Sequence, residues 1–499
     1  MKSTIQFRTT TPLLFITVAL ACFALLPKAQ ATDLGSVVAG NNTADGSGVL
    51  INLTTGIDNS GFGFQALNQD SSGNNNTAMG FRALWLNTTG NYNTATGFQA
   101  LKNNTTGSQN TANGYQALFN NIAGGSNVAT GYQALYKNTT DLTTGESGEY
   151  NTATGWEALY SNTKGLGNTA TGFQALYSNT TGQENTATGT WALFYNTTGV
   201  SDAAYGREAL FSNTKGNDNT AMGYQALYKN TTGQENTAIS AGALYSNTTG
   251  NYNVAIGSDA LDANTASLNT AVGFEALDGS TTGGSNTAVG AQALRLLSTA
   301  SSGNIALGYQ AGNNVTTAGN VIAIGTAGAN VSNSCFIGHI RGVTTANHDA
   351  VAVVIDSAGQ LGTVSSSRRF KKEIKPMDQA SEAILGLKPV TFHYKSDSTN
   401  TPQFGLIAEE VAKVNPDLVV RDDNGQIYTV RYDAVNAMLL NEFLKEHRTV
   451  KEQEATITEL KKEMETVVAR LKEQDSKIQR VSNQIELSKP SPRVVASDR

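Results

Sequence analysis

Three serines and four cations crowd the string Ser365-Ser366-Ser367-Arg368-Arg369-Phe370-Lys371-Lys372. A serine hydroxyl becomes a nucleophile when a base takes its proton, and a lysine serves as that base only in its neutral form. Burial or neighbouring cations depress a lysine's pKa, and Arg368, Arg369 and Lys372 stand beside Lys371 in sequence. The chemistry on offer is acyl transfer, with oxyanion donors that the sequence does not specify. Taken alone, such a string is an ordinary solvated basic loop. His393 invites a triad argument, but a histidine in an alternating strand pattern is usually packed or on the surface. No recurring acidic, histidine or cysteine constellation predicts a metal or a cofactor, so none is expected.

The elements that must position these residues are short. Ala350 to Asp356 reads as a strand and Ser357-Ala358-Gly359-Gln360 as a turn. Leu387-Lys388-Pro389-Val390-Thr391-Phe392-His393-Tyr394, Phe404 to Val411 followed by Asn415-Pro416, and Tyr428 to Tyr432 alternate strand and helix signals. They predict an α+β unit of roughly 80 residues. This ordered set resembles the C-terminal intramolecular chaperone of phage endosialidases and tail fibres, a self-cleaving serine peptidase family. The resemblance covers Ser366 to about Lys451. It implies a domain that assists trimerisation of a preceding β-rich fibre and then cuts itself off with a Ser-Lys pair. Set on the family motif S-D-x-R-x-K-x-x-I through Arg369, Lys371 and Ile374, it makes Ser366 the nucleophile, Lys371 the general base and Ser365–Ser366 the scissile bond. Ser367 stands where the motif has aspartate. The resemblance implies cleavage in cis and no activity on other substrates.

The whole chain has 499 residues, 34 Lys+Arg, 40 Asp+Glu and 50 glycines. Its charge is unevenly spread: Ser366 to Arg499 holds 22 basic and 21 acidic residues, and the 365 positions before it only 12 and 19. Neither part is basic enough to predict nucleic-acid binding. Lys2 and Arg8 precede an apolar run from Leu13 to Leu26, followed by Pro27-Lys28-Ala29-Gln30-Ala31. That is an export signal with an A-x-A site, and cleavage is predicted after Ala31; lipidation at Cys22 is the lesser alternative. Cleavage leaves Cys335 as the sole cysteine and no segment apolar enough to span a membrane.

Between residues 59 and 338 a unit N-T-A-x-G-x-x-A-L-aromatic-x-N-T-T-G-x-x recurs. Its first asparagine stands at 59, 76, 93, 110, 127, 151, 168, 185, 219, 236, 253, 269, 286 and 304, with Asp202 in the remaining place. Of the 14 spacings 11 are 17 residues, and a seven-residue insertion around Thr140 to Gly148 makes one of them 24. A period this short predicts a solenoid with one coil per repeat. Each coil is expected to hold two short strands, Thr-Ala-x-Gly and x-Ala-Leu-aromatic, with Asn-Thr-Thr-Gly as a turn whose glycine takes positive φ. Asparagines would stack as an amide ladder, and Phe119, Tyr136, Tyr160, Tyr177, Phe194, Phe211, Tyr228 and Tyr245 as an aromatic stripe. An interior of alanine and glycine would be thin, so burial of the leucine and aromatic columns by self-association is expected. The repeats resemble the head β-rolls of trimeric autotransporter adhesins, wound as trimers. Thr94/Thr96, Thr152/Thr154, Thr169/Thr171 and Thr186/Thr188 suggest an ice-binding array, interrupted where other repeats carry Met, Asn, Val or Ile.

Phe443, Val450, Ile457, Met464, Leu471, Ile478 and Ile485 recur every seven residues, with Leu460, Val467 and Val481 interleaved and Gln453 and Gln474 at d positions. Six heptads of this kind predict a coiled coil compatible with three strands. The expected organisation is a signal peptide (1–31), a lead-in (32–58), a mainly β trimeric roll or solenoid (59–338), a β-rich connector (339–365), the α+β chaperone and autoprocessing domain (366–451), a coiled coil (443–487) and a disordered tail (488–499). The predicted protein is an exported, secreted or cell-surface bacterial fibre or adhesin. Its expected partners are two further copies of itself and a surface or host ligand that the sequence does not identify. The alternatives are a phage-derived tail-fibre-like protein with an uncleaved chaperone and an ice-binding solenoid.

Overall fold

A computed structural model describes residues 36–38, 40–139, 148–298, 300–341, 351–356, 359–422 and 424–488. The predicted export signal, the insertion after Thr139 and most of the tail lie outside them. Two compact units divide at Thr344/Thr345.

In the first unit each 17-residue repeat contributes one strand of three residues, such as Thr94–Thr96. Consecutive strands pair in parallel and in register, alanine against alanine: Ala95 faces Ala112, and Ala112 faces Ala129. From Asn42–Asp45 to Ser334–Ile337 they form one continuous sheet, to which Ser36–Val38 adds antiparallel to Asn42–Asp45. The sheet crosses the long repeat without a break, since Val128–Thr130 pairs with Thr152–Thr154. The middle alanine points inward and its neighbours outward, as the alternation predicts.

The second predicted strand does not form. Gln99-Ala100-Leu101 is a bend with φ of 56° at Gln99 and 48° at Leu101, repeated coil after coil. Its amides still bond between coils, Leu101 N–H donating to the Ala117 carbonyl and Gln99 N–H to that of Phe81. A non-glycine residue in the left-handed region costs about 1–2 kcal/mol. Full burial of a leucine returns about 1.5–3 kcal/mol, and Leu101 has no exposed surface. Tertiary bonding therefore overrides the β preference of Ala-Leu-aromatic.

The turn glycine also differs from expectation. Positive φ falls at the Thr-Ala-x-Gly glycine, 130° at Gly97. The Asn-Thr-Thr-Gly glycine is needed for space, because a Cβ on Gly107 would overlap the Gly124 carbonyl and the Asn104 side chain.

The interior is richer than alanine and glycine. Each coil buries two alanines and a leucine completely, as at Ala95, Ala100 and Leu101. The leucine column is thus the core of a single chain, which overturns the expectation that self-association covers it. Two asparagine columns flank the core. In the expected one, Asn110 Nδ2 donates to Asn93 Oδ1 at 3.1 Å and to the Gly124 carbonyl at 2.8 Å. In the other, Asn104 Nδ2 donates to Asn87 Oδ1 and to the Gly107 carbonyl, both at 2.9 Å. Buried amides satisfied in this way avoid the roughly 1–3 kcal/mol cost of an unpaired polar group. On the outside, Phe119 to Tyr245 form the predicted stripe, with ring centroids 5.1–5.4 Å apart. A further stack runs from Phe64 through Phe98 and Tyr115 to Trp156.

The second unit opens with the antiparallel pair Val353–Ile355 and Leu361–Thr363. Two 3-10 turns follow, Arg368–Phe370 and Asp378–Gly386, then the pair Val390–Phe392 and Gln403–Gly405. Helix α1 (Ala408–Val414) precedes the pair Val419–Arg421 and Ile427–Val430. Helix α2 (Tyr432–Leu487) is 56 residues long and starts eleven residues ahead of the predicted seam. The core is small: Val411, Leu418, Val430 and Met438, with Ile384, Leu387 and Leu406 packed against them. Among the described residues no helix is long and apolar enough to cross a membrane.

Candidate functional site

Ser367 caps the 3-10 turn Arg368–Phe370 with extended backbone, and Lys371 closes it by donating its backbone N–H to the Arg368 carbonyl. One tight turn between two extended residues folds the chain back on itself. It brings Lys371 Nζ to 3.2 Å from Ser366 Oγ, so the two residues that the family resemblance singles out are in hydrogen-bond contact. Arg369 does not join them; its guanidinium lies 4.6 Å from the Phe370 ring centroid.

The contact runs in the direction opposite to catalysis, since the lysine nitrogen donates and the serine oxygen accepts. General-base action requires the amine to lose a proton and accept the hydroxyl's. Ser365, Ser366 and Lys371 are all exposed, so water reaches the pair within one chain. The pair has its geometry but not its environment. His393 lies exposed just beyond the strand Val390–Phe392.

A second serine site escaped the sequence reading. Ser381, fully buried, donates to Glu442 Oε1 and accepts from Asn441 Nδ2 at 2.7 Å. Lys445 Nζ donates to Glu442 at 2.7 Å. The hydrogen bond to Glu442 raises the Lys445 pKa, and the bonds from Lys445 and Ser381 lower that of Glu442. A lysine held protonated is no base, so this cluster fastens the 3-10 turn Asp378–Gly386 to α2. About sixty residues separate its members, and nothing in their spacing announces the contact.

Past its first turns, α2 carries its apolar seam in the open. Phe443, Ile457, Met464, Leu471 and Ile478 are each at least half exposed. The preceding d-type positions, Leu439 and Tyr432, continue the seam toward the small core. Leu439 lines an apolar groove of about 670 Å³ together with Ile384, Leu387, Val390, Phe404 and Val435.

Residues 366–420 match the family model described as chaperone of endosialidase. No curated protein matches the chain. The chain thus combines a parallel β-solenoid with a chaperone-of-endosialidase domain, and the match starts at Ser366 itself.

Proposed function

We propose that the protein is an exported, trimeric, tail-fibre-like or adhesin-like structural protein. Its C-terminal domain is an intramolecular trimerisation chaperone that cuts itself off between Ser365 and Ser366. The observation that carries this reading is the unpartnered heptad seam of α2 behind a chaperone-of-endosialidase domain. Six heptads of exposed apolar residues on one helix are stable in water when other helices cover them.

Assembly then has a physical order. Three ends joined through α2 raise the effective concentration of the bodies for one another. Closing copies around the exposed pair would withdraw Lys371 from water, favour its neutral amine and turn the contact around. Ser366 Oγ would attack the Ser365 carbonyl carbon as Lys371 takes the hydroxyl proton. That proton passes to the departing Ser366 nitrogen, and water hydrolyses the resulting ester. Removal of the clamp would leave the fibre kinetically trapped.

The test is expression of the mature chain beside Ser366→Ala, with native mass measurement, denaturing gels and N-terminal sequencing. A trimer and a fragment beginning at Ser366, absent from the variant, are expected. An intact wild-type trimer would reduce the reading to a permanent chaperone, and a monomer would end it.

A further inference from the structure

The outward face of the β-solenoid changes chemistry along its length. In the strands from Thr94–Thr96 to Thr186–Thr188 the two outward positions hold threonine, valine or asparagine. From Ala203–Tyr205 to Ser334–Ile337 the second outward position is apolar in nine consecutive coils, running from Tyr205 and Met222 through Ile256 and Leu307 to Ile324 and Ile337. Each of these residues pairs in register with its neighbour in the row, so the row is continuous. The first outward position beside it is Thr, Ala, Val, Ile or Cys throughout, and no charge falls on either.

We infer that this C-terminal half-face is where the bodies of the assembled copies meet one another. Nine strands at about 4.8 Å spacing make a row about 40 Å long, with the two outward positions about 7 Å apart. Met222, Ile256, Leu307, Ile324 and Ile337 are each more than a third exposed. A contiguous patch on this scale reaches the roughly 300–600 Å² at which exposed apolar surface marks an interaction site.

The occupant is a second copy of this chain, for two reasons. The row repeats at one strand spacing, and the same face of another copy in the same register supplies the matching period with no charge to bury. The apolar half is also the half nearest in sequence to α2, whose seam calls for copies of itself. The exposed aromatic stack beginning at Phe64 is the weaker candidate. Its rings already cover each other's faces at about 5 Å, and Arg82 lies against Phe81. The inference rests on the trimeric reading above and adds the surface through which the bodies touch.

Cys335 provides a native probe. It sits in the last strand of the face, exposed, two residues before Ile337. The full mature chain, its Cys335→Ser variant, Cys335→Ser with Ile256→Cys, and Cys335→Ser with Thr232→Cys on an exposed turn away from the face would be treated with a short bis-maleimide. Light scattering on the same samples gives the oligomeric state. The wild type and the Ile256→Cys chain should give mostly a covalent dimer band on denaturing gels, and the Cys335→Ser and Thr232→Cys chains almost none. A trimer by light scattering in which Ile256→Cys stays uncoupled, or Thr232→Cys couples equally, overturns the inference and leaves the trimeric reading standing. A monomer overturns both. Ile239→Asp with Ile256→Asp supplies a second measurement. If circular dichroism shows a folded body, coupling through Cys335 should fall at least tenfold; unchanged coupling refutes the proposal.

Discussion

Replacing Asp202 with asparagine tests how the amide ladder holds the body together. Every other member of its column between Asn59 and Asn304 is asparagine, and Asp202 is only 1% exposed. Its Oδ1 accepts from the Asn219 backbone N–H and from Asn219 Nδ2, and its Oδ2 from Asn213 Nδ2, all at 2.9–3.0 Å. Loss of water outweighs these donors, and nearby Asp218 adds a like charge, so the carboxyl pKa is pushed up from 3.8 to about 7. A pKa above its unfolded value means that the native state holds the proton more tightly. The stabilising contribution is therefore fully present below pH 3.8 and is lost as pH rises to about 7. At about 1.4 kcal/mol per pH unit, that interval amounts to about 4 kcal/mol.

An amide at this position has no ionisation to oppose. Asn185, one coil earlier, shows its geometry, with Nδ2 donating to Asn168 Oδ1 at 3.1 Å and to the Gly199 carbonyl at 2.8 Å. The matching acceptors for Asp202→Asn are Asn185 Oδ1 and the Gly216 carbonyl. Stability in a stacked array is local, so the assay is hydrogen exchange of the segment from Asn185 to Asn219, compared with wild type at the same pH. Near pH 8 the variant should gain up to about a thousandfold in protection, and near pH 4 almost nothing. Equal gains at both pH values, or poorer protection near pH 8, would refute the desolvation argument.

Asp70, whose carboxyl burial also pushes up to about 7, should behave alike, with Asp70→Asn protecting its own coils near pH 8 and leaving those around Asp202 unchanged. Leu210→Ala should cost about 2–5 kcal/mol and open the coils around it to protease, since Leu210 has no exposed surface. Lys371→Met should abolish the fragment beginning at Ser366 on a denaturing gel while Lys445→Met leaves it, because Glu442 keeps Lys445 protonated. Ile457→Asn with Ile478→Asn should lower the native mass from trimer to monomer and reduce helix content, as both side chains are exposed on one helix that loses its cover.

The repeat spacing made the solenoid, the first asparagine column and the aromatic stripe legible, because stacking converts a sequence period directly into columns. It did not show which part of a coil is strand. Ala-Leu-aromatic favours β conformation locally, and only the bonds between coils reveal its left-handed bend. The second column, through Asn87, Asn104 and Asn121, recurs at the same spacing as the first and could have been read from it. In the C-terminal unit the Ser366–Lys371 pair was legible only through the family motif, and one tight turn is enough to bring it into contact. The Ser381–Glu442 contact was not, since it depends on where α2 packs.

A column of near-identical coils has an assembly problem that its own stability makes worse. Within one chain the register is covalent, because each strand pairs with the next in sequence. Between chains nothing comparable holds, and an apolar row repeating at about 4.8 Å would slide by one coil and find nearly the same surface. Such a slip forfeits the contacts of one coil in nine, too little to be corrected once long faces have closed. An uncharged face cannot forbid the wrong offset, so the choice must be made before the faces meet and by residues outside the repeats. The heptads of α2 can make it, because their glutamines at 453 and 474 interrupt the apolar seam where a pairing shifted by one heptad would set them against Leu460 or a valine, Val467 or Val481. On the trimeric reading proposed above, the charge-rich end would select the register that the charge-poor body then keeps.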